Sequence, residues 1–142
     1  MINFRICVLS LPLITYTIGC ISSPINKVDS SGKPIESITL TGARNLGDSQ
    51  VRVTDSDEIQ EILKLVRQIR GIEFARVNVD IERIKVVTIR IEQKDGPTEL
   101  TMVSGMMAVP GDDLGLFYDS QKVAQSELWS LVLTHLGYND AQ

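Results

Sequence analysis

The chain has 142 residues, room for one domain and little more. With 43% hydrophobic and 23% charged residues it has the makings of a folded core, which excludes disorder throughout. The 14 Lys and Arg against 18 Asp and Glu leave a formal charge of −4. That balance excludes nucleic acid as a partner, because neutralising phosphates dominates such binding.

Met1 to Arg5 carries one basic side chain, and Ile6 to Ile18 is apolar except at Ser10, Pro12, Thr15 and Thr17. A membrane-spanning helix needs about 20 apolar residues, so this run is too short to cross, but it suits the apolar region of a secretory signal. Gly19 and Cys20 follow, and from Ile21-Ser22-Ser23-Pro24 the composition turns polar. Thr17-Ile18-Gly19-Cys20 resembles the lipobox of bacterial lipoproteins, in which small residues precede an obligatory cysteine.

The resemblance implies a signal peptide over 1–19, diacylglyceryl on the Cys20 thiol and cleavage before Cys20 with acylation of its amine. It also implies a cell-envelope location. Ile21, which is not Asp, directs the chain to the outer membrane of a Gram-negative host, and a Gram-positive host would hold it on the outer face of its cell membrane. Two alternatives stay open, an ordinary secretory signal cut elsewhere and an uncleaved apolar N-terminus. Export would remove Cys7 and lipid would occupy Cys20, so the mature domain is expected to hold no disulfide.

Residues 20–36 comprise the lipidated cysteine and a tether rich in Ser, Pro, Gly and charge, and the domain is expected over 37–142. Ile38-Thr39-Leu40 and Val51-Arg52-Val53 predict two short strands around a Gly42–Ser49 loop. Asp55 then stands as an N-cap with Glu58 three residues on. Ile59, Ile62, Leu63, Val66 and Ile69 recur at helical spacing, and Arg67, Arg70 and Gly71 mark the helix end.

The period then changes to two. Ala75 to Glu82 and Lys85 to Gln93 each alternate apolar with polar residues, predicting strands with one wet face. Gln93-Lys94-Asp95-Gly96 predicts a hairpin turn, followed by Pro97 at the head of the next strand. Leu100–Ala108 and Leu114–Tyr118 predict two further strands around a Pro110–Asp113 turn. A last helix is expected from Ser120 to Leu136, stopped by Gly137, with Val123, Ala124, Leu128, Leu131, Val132 and His135 on its inner face.

The fold class expected is α+β, an antiparallel meander covered on one face by two helices. This layout is similar to small lipoprotein domains of bacteria over about residues 50–136. That likeness is one of pattern and brings no catalytic or binding residues with it.

No catalytic constellation emerges. His135, the one histidine, suits the end of a helix better than catalysis. Asp55, Asp57 and Glu58 lack the order of a calcium loop and read as a helix cap. Asp112 and Asp113 read first as a solvated turn. No phosphate-binding glycine loop or nucleophile elbow is present, and neither a metal nor a cofactor is expected.

Met102, Met106 and Met107 read as core filling, with an adjustable contact surface second. Trp129 lies out of phase with the inner face. Either the helix buries a wide face, or Trp129 is an exposed interface anchor. The expected function is a non-enzymatic domain that binds a protein or an envelope component, with Trp129, Asp112 and Asp113 as candidate contacts. The alternative is a toxin-neutralising (immunity) or hydrolase-inhibiting lipoprotein, whose acidic surface fills a basic cleft.

Overall fold

A computed structural model of the chain describes residues 34–69, 73–75, 81–108, 116–118 and 123–139. Strand β1 (Ile35–Arg44) leads to β2 (Gln50–Val53), helix α1 (Ser56–Gln68) and β3 (Glu73–Ala75). A 3-10 turn (Ile81–Arg83), β4 (Lys85–Gln93), β5 (Thr98–Val103), β6 (Met106–Ala108), β7 (Leu116–Tyr118) and helix α2 (Val123–His135) follow. The strands form one seven-stranded sheet in the order β2-β1-β4-β5-β6-β7-β3, with every pair antiparallel. The fold is α+β, with a meander sheet and two helices, as the sequence predicts.

The two-residue period of β4 explains its burial. Val87, Ile89 and Ile91 are fully buried, whereas Thr88, Arg90 and Glu92 point to the other face. Its neighbours keep that register, because Leu40 lies opposite Ile89, which in turn lies opposite Leu100. Ile38, Leu40, Ile89, Ile91, Leu100 and Met102 therefore share the face on which both helices pack, and they form one core with Ile62, Leu63, Val66, Leu128, Val132 and Leu133.

Helix α1 begins where the capping pattern places it. The Asp55 carboxylate accepts from the backbone N–H groups of Asp57 and Glu58 at 3.0 and 3.1 Å. Ile59, Ile62, Leu63, Val66 and Ile69 are all buried. Ile69 forms the C-cap; Arg70 and Gly71, the expected terminators, lie outside the described residues. Helix α2 ends in a Schellman motif, in which Tyr138 N–H donates to the Leu133 carbonyl at 2.8 Å and Gly137 N–H to that of Thr134 at 3.0 Å. Gly137 supplies the required φ of 83°.

Four expectations change. Strand β1 is longer than Ile38–Leu40 and takes in Ile35 and Glu36 from the expected tether and Gly42 to Arg44 from the expected loop. Pairing with β2 on one side and β4 on the other fills its backbone hydrogen bonds where its small side chains carry no strand signal. Gly42 is needed because the following loop folds back on it: a Cβ there would stand 2.6 Å from Ser49 Oγ and 3.0 Å from Leu46 Cβ.

Of the expected Ala75–Glu82 strand, Ala75 is the last residue of β3 and Ile81–Arg83 is a 3-10 turn, whereas residues 76–80 lie outside the described residues. The Asn45 side-chain amide donates to the carbonyls of Glu82 and Ile84 at 2.7 and 3.1 Å. Those groups therefore serve a loop contact instead of a sheet ladder.

The expected Leu100–Ala108 strand is two strands, β5 and β6, joined by Ser104 and Gly105. Both turn residues have positive φ, 46° and 83°, which fits a tight two-residue hairpin.

The inner face of α2 is also rotated from its expected position. Val123 is 60% exposed, Leu131 and His135 are half-buried, and Ala124, Gln125, Leu128, Trp129, Val132, Leu133 and Leu136 are buried. The helix packs on α1 as well as the sheet, so the stripe it hides is wide.

Candidate interaction surfaces

The residues singled out from sequence fare differently. Cys20, Asp112 and Asp113 lie outside the described residues, as does the Pro110–Asp113 turn. Trp129 is 9% exposed and belongs to the core. A Cβ built on Gly105 would meet the Trp129 ring at 3.4 Å, so the indole lies along the β5–β6 turn. Beside it Gln125, itself buried, donates from Nε2 to the Gly105 carbonyl at 2.7 Å. Trp129 and Gln125 therefore clamp the hairpin tip to α2, and of the two roles weighed for Trp129 the wide buried helix face is the one adopted. An exposed anchor would need the ring outside the core.

Asp55 serves as a cap, with Asp57 and Glu58 in the first turn of α1. Met102 and Met107 join the main core. Met106 packs with Val103 in a small cluster flanked by Ile84, Val86 and Ala108. Among the described residues no three metal-capable side chains converge.

Three surfaces remain. On the sheet face away from the helices, Gln50, Thr41, Thr88, Thr101 and Ala108 stand in one row across five strands. One step along, Arg52, Thr39, Arg90 and Glu99 form a second row. Arg90 pairs there with Glu92 at 2.7 Å and Glu99 at 3.1 Å. The hydrogen bond and charge of Glu92, then Glu99, hold its guanidinium above the ordinary arginine pKa. These opposite charges satisfy one another.

The second surface is the Arg44–Ser49 loop. Leu46 is fully buried, and the Tyr138 hydroxyl donates to its carbonyl. Ser49 Oγ donates to the same carbonyl at 3.2 Å. The loop is thereby held from both its own strand and the segment after α2. It is a structural joint more than a free recognition loop.

The third is a groove of about 390 Å³ between the outward flanks of the helices, lined by Glu61, Lys64 and Leu65 of α1 and by Glu127, Ser130, Leu131 and Thr134 of α2. Leu65 and Leu131 supply its apolar part. Within α2, Thr134 Oγ1 donates to the Ser130 carbonyl at 2.9 Å. Among the described residues Glu61, Lys64 and Glu127 form no ion pair or side-chain hydrogen bond, although they line the same space. The spacing of α1 and α2 along the chain carries no sign of this groove; it arises when both helices dock on one sheet.

Comparison with protein-family models, with curated proteins and with solved structures finds no match.

Proposed function

We propose that the chain is a membrane-anchored envelope lipoprotein whose α+β domain binds a protein or another envelope component without catalysing a reaction. The observation that carries this reading is the order of three segments: the apolar run ending in Thr17-Ile18-Gly19-Cys20, a polar stretch, and a folded domain starting with β1 at Ile35. A flexible chain the length of the stretch between Cys20 and β1 has a root-mean-square span of about 20 Å, enough to hold a domain clear of lipid headgroups. Two acyl chains or more on Cys20 would hold it stably, at roughly 0.8 kcal/mol per buried methylene.

The binding role is supported by how the polar residues are employed. Asp55 caps α1, and Asp57 and Glu58 sit in the helix's first turn. His135 lies in the last turn of α2, where a basic group meets the exposed carbonyls. A second reading, a toxin-neutralising (immunity) or hydrolase-inhibiting lipoprotein, is favoured by the net charge of −4 and by Glu61 and Glu127 facing one groove. Such a protein forms a tight one-to-one complex with a basic enzyme and abolishes its turnover.

The anchoring is tested by intact-mass measurement of the chain from its host's membranes beside Cys20→Ala. The expected result is a chain beginning at Cys20 with diacylglyceryl mass, and a variant without it. An unlipidated wild-type chain, or one that still carries residues 1–19, overturns the reading.

A further inference from the structure

We infer that the groove between α1 and α2 takes a basic segment of a protein partner, with a lysine or arginine stem along Leu65 and Leu131 and its head group at Glu61 and Glu127. The inference rests on the proposal that the domain binds a protein, and it names where and by what chemistry. Each wall of the groove contributes a carboxylate, and among the described residues neither carboxylate has an ion pair or side-chain hydrogen bond. Between them lie a buried leucine, Leu65, and a half-buried one, Leu131.

That combination matches a long cationic side chain, which buries its methylenes on apolar surface and keeps its charge at a polar rim. The volume of about 390 Å³ leaves room for a side chain of that length.

Other occupants fit less well. An anion would meet two carboxylates against the single ammonium of Lys64. An apolar small molecule would cover the charged groups of Glu61, Lys64 and Glu127 without pairing any of them. A second copy docked groove to groove would bring the same carboxylates together. Lys64 has a definite part in this scheme. It repels the incoming cation from one end of the α1 wall and so sets its position, and removing it strengthens binding to a basic probe.

The test uses the chain as its host makes it, with a fluorescein-labelled GKLKG pentapeptide, its acidic counterpart GELEG, and fluorescence anisotropy at low salt. Four forms are compared: wild type, Glu61→Gln/Glu127→Gln, Lys64→Gln, and Glu36→Gln/Asp48→Asn, which removes the same charge elsewhere. All of these positions are exposed, so the variants keep the fold.

Two weak exposed ion pairs correspond to about a tenfold rise in Kd for the groove double variant, and one removed repulsion to about a threefold fall for Lys64→Gln. The Glu36→Gln/Asp48→Asn form is expected to stay within about twofold of wild type, and GELEG is expected not to bind. The inference is overturned if GKLKG does not bind, if the charge control weakens binding as much as the groove variant does, or if GELEG binds equally well. The readout does not depend on lipid at Cys20, so it fails separately from the anchoring.

Discussion

Replacing Trp129 with alanine is the sharpest test of how α2 holds the sheet. The indole is 9% exposed and packs along the Ser104–Gly105 turn within the main core. A buried aromatic side chain hides about 150–250 Å², so losing most of it at about 25 cal/mol per Å² costs about 4 kcal/mol. Measured losses for such truncations, about 3–5 kcal/mol, agree. A small domain has only about 5–15 kcal/mol of stability in all.

With a urea dependence of about 1.5 kcal/mol per molar, the unfolding midpoint should fall by about 2–3 M. Equilibrium urea unfolding followed by far-ultraviolet circular dichroism measures it, since the variant loses the single tryptophan. Trp129→Phe, which keeps the packing of a ring, should recover most of the loss. A midpoint shift below about 0.5 M for the alanine variant would refute the clamp and return Trp129 to the role of a surface contact.

Two further outcomes follow from local geometry. Gly105 holds a φ of 83°, so Gly105→Ala is expected to cost about 1–2 kcal/mol and to lower Tm by roughly 5–10 °C, with Gly105→Asn milder; an unchanged melting curve would contradict the turn. Asp55→Ala removes the acceptor for two backbone N–H groups and should cost about 1 kcal/mol in thermal or urea unfolding, whereas Asp55→Ser should retain most of the stability; equal losses in both variants would mean that the cap is not the cause.

The readings that succeed are those in which the signal repeats along the chain. Lys85–Gln93 is legible because alternation runs through the whole strand, and its bounds match those of β4. The α1 stripe is legible because cap, period and dipole agree, and each of its expected apolar residues is buried. Where a single local feature competes with a periodic one, the periodic reading misleads. Ser104-Gly105 sits inside an apolar run that reads as one strand, although the dipeptide is a turn signal in its own right. Ile81 and Glu82 continue an alternation, yet the Asn45 side chain takes the carbonyls of Glu82 and Ile84 from a distant loop.

The candidate surface is less legible than the fold. Glu61, Lys64 and Glu127 are ordinary exposed helix residues in the sequence, and only the docking of two helices side by side makes them walls of one groove. For Trp129 the sequence left two roles open, because an amphipathic stripe gives the direction of burial and not its width. The width comes from α2 touching both the sheet and α1.

From its sequence alone this protein has an α+β class, a capped first helix, the β4 strand and its following turn, and a helix stop at Gly137. Each of these depends on residues close together in the chain, where sterics and hydrogen bonding act without the rest of the fold. Tertiary structure alone decided that β3 crosses to the far edge to pair with β7, that Leu46 plugs the core beneath Tyr138, and that the helices leave a groove between them. The reason is physical: those features join segments far apart in sequence, and their energies exist only once the sheet has brought the segments together.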